Sequence, residues 1–347
     1  MDALERVADH VELVSTFRSF DGDGDAARQE ALREQGAELA ERMVTQWRAA
    51  PREARPDIWF TYHVYYKAPD WLGPAVSEAL GIPYVIAEAS YAGKRAGGPW
   101  ALGHEAAATA IRAARLVIEP SRDDLGGLAE LLPKDRVVYL PPFLDPGPYR
   151  AAARQREQHR NRMAAEHALD ADVPWIAVAA MMRAGDKLAS YRALGETLAK
   201  VADLPWRVLV AGDGSARGEV HAALNAAAPG RVAFLGSLET RQLAAMYAAC
   251  DLYAWPAVNE AYGMAMLEAQ AAGVPVVSAA TRGVPDVVMA GRTGLLAAGA
   301  DISAPLRQLL GDAKLRRKLG TGAAAFAAEE RSLDAAAKRL GELLRKL

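Results

Sequence analysis

The chain has 347 residues, 51% hydrophobic and 24% charged, with 41 basic and 43 acidic side chains and a formal net charge of -2. That length exceeds one ordinary core and suits two domains of roughly 100 to 200 residues each. The balanced charge and apolar content argue against a disordered chain and against the basic footprint of a nucleic-acid binder. The single cysteine, Cys250, excludes an intrachain disulfide and a thiolate metal cluster. It suits a reducing compartment and reads as a small apolar core residue.

The opening "MDALERVADH" carries acids where a targeting signal would need a basic and then an apolar region. No stretch is long enough and free enough of charge or proline to span a bilayer, so a cytoplasmic location is expected. From here, short β-rich runs alternate with longer Ala/Leu/Glu/Arg-rich helical patterns, the signature of βα units around a parallel sheet. In the first half "VELVS", "DIWFTY", "PYVIAEA", "RLVIEP" and "RVVYLPP" read as strands. Between the first two lies "FDGDGD", with Asp21, Asp23 and Asp25. As a calcium loop it fails, since the sixth position is Ala26 and the twelfth Leu32. It reads as a flexible acidic turn.

After "PYVIAEA" the loop "EASYAGKRAGGPWALGH" offers Glu88, Ser90, Lys94, Arg95 and His104 between a strand and a helix, and His63 ends the earlier run "DIWFTYH". Such positions suit contacts to a polar acceptor or to sugar hydroxyls; each histidine reads equally well as an ordinary hydrogen-bonding residue. The connector "PPFLDPGPYRAAARQREQHRNRMAAEHALDADVP" follows, proline-rich and then arginine-rich, and places a domain boundary near Phe143. Arg154, Arg156, Arg160 and Arg162 are expected on a solvated helix face; weak peripheral contact with anionic lipid, or an acidic acceptor, is the alternative reading.

The second half reads as six strands, "WIAVAAMM", "RVLVAG", "VAFLG", "DLYAWP", "PVVSA" and "GLLA", separated by helices. The loop "AMMRAGDKLASY" after the first of these supplies Arg183 and Lys187, suited to a bidentate and a point-charge contact with phosphate respectively. "GDGSARG" misplaces the third glycine of a dinucleotide fingerprint and reads as a tight turn. In "NEAYGMAMLEAQAAGVPVVSAA", Glu260 falls in a strand-to-helix loop and Glu268 on the helix that begins near Tyr262. The loop puts a helix N-terminus, with free N–H groups, at the sheet edge where α/β folds bind ligands. Helical rise separates the two carboxylates by at most about 12 Å, the span of a sugar, a diphosphate and a ribose. The tail "SLDAAAKRLGELLRKL" is expected to form a terminal amphipathic helix over residues 331–347, one face packed through Leu340, Leu343, Leu344 and Leu347.

Two glutamates with seven residues between them, followed by "EAQAAGVPVV" and "GVPDVVMAGRTGLL" and preceded by "LVAGDGSARGEV" and "VAFLGSLETRQLAAMYAACDLYAWP", resemble the donor-binding domain of retaining glycosyltransferases of GT-B architecture, glycosyltransferase family 4 (glycosyl transferases group 1). The resemblance covers roughly residues 175 to 300. It implies an α/β fold of two Rossmann-like domains facing across a cleft: an N-terminal acceptor-side domain over 1–143 and a nucleotide-sugar donor-binding domain over 144–330. By that resemblance Glu260 and the Ala261, Tyr262, Gly263 and Met264 backbone contact the donor sugar and phosphates, Glu268 holds the ribose hydroxyls, and Arg183 and Lys187 neutralise the departing diphosphate. The glycine usual before that arginine is Met182 here. The implied activity is metal-independent transfer of a hexosyl group, with retention, from a nucleotide-diphosphate sugar to a carbohydrate, lipid-linked or small-molecule hydroxyl, without a cofactor. A nucleotide-sugar epimerase and a non-catalytic nucleotide-sugar-binding protein are the rival readings. The N-terminal domain offers no candidate for its first strand, and Met1 is expected to be an internal methionine of a longer protein.

Overall fold

The computed structural model describes residues 1–347 and divides them into two units, Met1–Pro141 with Lys338–Leu347, and Pro142–Ala337. In the first unit four parallel strands, β1 (Trp59–Val64), β2 (Tyr84–Ala89), β3 (Leu116–Glu119) and β4 (Val137–Tyr139), lie side by side in chain order. Because side chains alternate across a strand, β2 sends Tyr84 and Ile86 into a core with Ala40, Met43, Val76 and Ile111. Its neighbour Val85 points the other way, and with Leu116 and Ile118 is covered by Leu340 and Leu343 of the last helix, Leu333–Leu344.

Two expectations fail in this unit. "VELVS" is not a strand: residues 11–20 take neither helix nor strand, and Leu13 is 70% exposed. No neighbouring strand is there to satisfy its backbone groups, and β1 is bonded on one side only. "FDGDGD" is not a flexible turn either. Asp21 is buried and accepts hydrogen bonds from Gln29 Nε2 and the Asp23 amide, while Asp25 caps the helix Ala26–Ala49 by accepting from the amides of Ala27 and Arg28.

The second unit contains all six expected strands: β5 (Trp175–Ala179), β6 (Arg207–Ala211), β7 (Val232–Gly236), β8 (Leu252–Trp255), β9 (Val276–Ala279) and β10 (Gly294–Ala297). They form one parallel sheet in the order β10-β9-β8-β5-β6-β7. The central strands are buried along their whole length, as continuous apolar runs in a doubly covered sheet should be. Cys250 lies in this core, and burial pushes its thiol well up from the ordinary value.

The arginine-rich connector is not uniformly solvated. It folds into helices Gly147–Ala153 and Arg156–His167. Arg156 and Arg160 both reach Asp251, at 2.7 Å and 2.9 Å, and Arg160 also donates to the carbonyls of Ala171, Val173 and Ala249 while lying over the Trp175 ring. These carbonyls close the sheet's N-terminal edge, and the guanidinium fork satisfies them together. Of the four arginines expected on a solvated face, Arg154 and Arg162 are the two on exposed positions. No helix of the chain is long and apolar enough to cross a membrane.

Candidate functional site

The chain leaves β5 toward β6 on one side of the second sheet, while β8 lies against the other side of β5, so the strand order reverses between β5 and β8. In open α/β sheets the crevice at the carboxyl ends of those two strands is where ligands bind. The loops following β5 and β8 meet there. Helix Asp186–Lys200 follows β5 and pins the loop after β8 at two points: Ser190 Oγ accepts from the Val258 amide at 3.0 Å, and Asn259 Nδ2 donates to Asp186 Oδ2 at 2.8 Å. So held, the loop brings Glu260 onto Lys187, with Nζ 2.5 Å from Oε2 and both side chains about five-sixths buried. Trp255 Nε1 donates to the same oxygen at 3.3 Å. Sequence analysis assigned these two residues to sugar and diphosphate separately; the structure joins them in one ion pair. Arg183 is exposed, and its side chain has no hydrogen-bond or ion-pair partner.

The backbone around this point is strained. Six residues other than glycine have positive φ, and three of them, Ala257, Asn259 and Arg282, belong to the loops beside Glu260. Arg282 donates to Asn259 Oδ1 at 3.2 Å. Such conformations cost about 1–3 kcal/mol each and persist where the surroundings over-determine them. Helix Met264–Ala271 begins here, two residues later than expected, because Gly263 takes a left-handed φ of 73° and serves as its N-cap. The amides of Met264 and Ala265 donate to no backbone carbonyl, so Ala261 to Met264 present a polar loop running into an open helix end. Gly283 must be glycine, since a Cβ there would lie 1.8 Å from the Ala261 carbonyl oxygen. Met182, which stands where a glycine was expected, is buried; its amide donates to the Asp213 carbonyl and its own carbonyl accepts from Ala216, tying the Arg183 loop to the turn after β6.

Glu268 lies further along the same helix, and the structure supplies the partner that the sequence left unnamed. Tyr247 donates to its Oε2 at 3.1 Å, and the ring of Tyr149 lies 6.3 Å from that of Tyr247. Burial holds the Glu268 carboxyl above the usual carboxylate range, while the Tyr247 hydroxyl pulls it down. No sequence signal linked Tyr149, near the start of the connector, to Tyr247.

In the first unit His63 and Glu88 come together at the carboxyl ends of the adjacent strands β1 and β2, Nδ1 to Oε1 at 2.9 Å. Both take positive φ, 66° and 63°. The hydrogen bond to Glu88 raises the His63 pKa despite partial burial. Burial, with Glu88 beside it, also pushes Tyr62 up to about 12. Beneath them Glu119, missed in the sequence, is fully buried and accepts from the amides of Ala89 and Ser121; burial pushes its carboxyl up to about 8. Ser90 donates to Asp124 at 2.9 Å. Lys94 and Arg95 sit on an exposed turn, with Arg95 over the Tyr66 ring. His104 is buried, its Nε2 3.1 Å from the Ala92 carbonyl, so it fastens that turn to its helix. No group of three or more His, Cys, Asp or Glu side chains is arranged to hold a metal ion.

Residues 190–326 match the family described as glycosyl transferases group 1. The match is confined to this stretch. It contains Glu260, Glu268 and Tyr247, while Arg183 and Lys187 stand just ahead of it. Curated relatives include D-inositol 3-phosphate glycosyltransferases of Corynebacterium diphtheriae, 36% identical over 147 residues (40% of this chain and 34% of that one), and of Nocardia farcinica, 33% identical over 207 residues (56% and 44%). The chain thus spans less than half the length of either relative. Among solved structures it resembles a glycosyltransferase from Rickettsia africae (TM-score 0.71, 14% identity, covering 97% of this chain and 84% of that one). It also resembles Anabaena HepE in complex with UDP (TM-score 0.70, 19% identity, 90% and 83%). The fold is therefore that of the GT-B glycosyltransferase structures, and the stretch that matches the family contains five of the six strands of the second sheet.

Proposed function

We propose that this chain is a glycosyltransferase that moves a hexosyl group from a nucleotide-diphosphate sugar to an acceptor hydroxyl, with retention of anomeric configuration and without a metal. The observation that carries the reading is the pair of carboxylates in the stretch that matches the family: Glu260 in the strained loop at the sheet's switch point, and Glu268 on the helix that this loop opens. Glu260 contacts the donor sugar, the loop from Ala261 to Met264 and the open helix end receive phosphate oxygens, and Glu268 holds the ribose. Arg183 is an unpartnered cation suited to the leaving diphosphate, and Lys187 joins it by exchanging part of its contact with Glu260. In this mechanism the departing phosphate takes the acceptor's proton on the same face of the sugar. The protein supplies positioning and charge stabilisation. His63 and Glu88, with Ser90, Lys94 and Arg95 nearby, are assigned to acceptor or sugar contacts; His104 is assigned to holding their turn. The reaction is placed in the cytoplasm.

The names of the curated relatives and the UDP complex of HepE favour transfer over an epimerase. Incubation with UDP-, GDP- and ADP-glucose, with D-inositol 3-phosphate as the first acceptor, tests the reading, and product anomeric configuration is read by proton NMR in the presence and absence of EDTA. Release of a nucleoside diphosphate with an α-linked product supports it. Sugar isomerisation without an acceptor would turn the assignment to the epimerase. Donor binding without turnover on a broad acceptor panel would turn it to a binding protein.

A further inference from the structure

Glu268 sits in a part of the second unit that should be hostile to a carboxylate. Its side chain is mostly buried, and the neighbouring helix residues Leu267, Ala269 and Gln270 are fully so. One phenol hydroxyl meets it there, and a second phenol ring stands beside the first. Tyr247, on helix Thr240–Ala249, is wholly buried; Tyr149, on helix Gly147–Ala153, is 6% exposed, and their rings lie 6.3 Å apart. Tyr253 of β8 backs the Tyr247 ring at 6.1 Å and sends its own hydroxyl to the Ala179 carbonyl, so it is not available to Glu268. Tyr247 is thus fixed by packing before any ligand arrives.

An ionised carboxylate has about four acceptor positions. One is filled by the Tyr247 hydroxyl, which leaves room for a ligand that is itself a pair of donors. A vicinal cis-diol is such a ligand, and a ribose carries one. We propose that Tyr247 is a positioning residue for nucleotide binding: it holds the Glu268 carboxylate in one orientation so that its remaining acceptor positions meet the 2′- and 3′-hydroxyls of the ribose together. The proposal rests on the donor-site reading above and adds to it the residue that orients the ribose contact. It also explains why a carboxylate is kept at a site whose burial disfavours it: a neutral donor stabilises its charge without neutralising it, as a lysine or arginine would, so it stays a strong acceptor for hydroxyls.

The test is a thermodynamic cycle by calorimetry on the full chain, using UDP, GDP and ADP and the 2′,3′-dideoxy form of whichever binds. Tyr247→Phe deletes only a hydroxyl, and thermal melts confirm the fold. It is expected to weaken the ribonucleotide about tenfold and its dideoxy form less than about twofold, because the dideoxy form does not use the oriented carboxylate. Glu268→Gln is expected to weaken the ribonucleotide at least as much. Equal losses for both nucleotides, or no loss for either, overturn the positioning role while leaving the donor site standing. If none of the three ribonucleotides binds the wild-type chain, the donor-site reading falls and this inference with it.

Discussion

Lys187 Nζ lies 2.5 Å from Glu260 Oε2, and each side chain is only about one-sixth exposed. Removing one partner from such a pair strands the other in a partly desolvated place, whereas removing both does not. Lys187→Met and Glu260→Gln are each expected to destabilise the chain by about 1–3 kcal/mol, and the double substitution by less than their sum. Denaturant titration of the four proteins measures the coupling; a coupling near zero would show the pair to be a screened surface contact. Under the proposed function each single change also lowers turnover about a hundredfold.

Arg183 has the opposite profile, with an exposed side chain and no protein partner. Arg183→Ala should leave stability within about 0.5 kcal/mol of wild type. Its turnover should nonetheless fall about a hundredfold, if its partner is the leaving diphosphate. Steady-state kinetics with the identified donor decides it, and wild-type turnover would remove Arg183 from the site.

His63 is raised by its bond to Glu88 against an opposing effect of burial. In Glu88→Gln only burial remains as a strong influence, so the His63 pKa is expected to drop below its ordinary value near 6.5. A two-dimensional NMR titration of the ring protons reads this directly. The sign of the stability effect follows: the pair's contribution is fully present below the ordinary value and is lost as pH rises through the raised one. With His63 nearly half exposed that contribution is below about 1 kcal/mol.

Arg160 and Arg162 are two residues apart and should behave differently. Arg160→Lys is expected to cost about 1–3 kcal/mol, because an ammonium cannot span Asp251 and the three carbonyls that the guanidinium reaches. Arg162→Ala, at an exposed position, should lie within about 0.5 kcal/mol of wild type. Thermal or denaturant melts of both variants check the contrast.

What the sequence disclosed follows from which interactions are local. β5 to β10 were legible because apolar runs bounded by turns are properties of short windows, and the resemblance around Glu260 and Glu268 is likewise carried by contiguous text. The Lys187–Glu260 contact spans 73 residues and depends on the strand order, so no window contains it. The same holds for Tyr149 against Tyr247 and for Arg160 against Asp251. Here composition misled, since an arginine-rich helix looks solvated until the sheet edge that it covers is known. "VELVS" shows the converse error: its pattern suits a strand, but a strand is completed by a neighbour, which the segment does not have. Glu119 looked like the end of an ordinary strand, and only the amides of Ala89 and Ser121 make it a buried acid.

The apolar face of β2 and β3 that is closed by Leu340 and Leu343 has a consequence for how the chain is made. Residues 142–337 form one unbroken unit, but the unit begun by the earliest residues is closed by 338–347. On the ribosome the second unit can finish folding while Val85, Leu116 and Ile118 still lack their cover, for synthesis proceeds from the N-terminus and domains fold as they emerge. The first-made sheet is therefore the last to be completed, and until the intervening residues are added its apolar face stays without the cover that Leu340 and Leu343 provide.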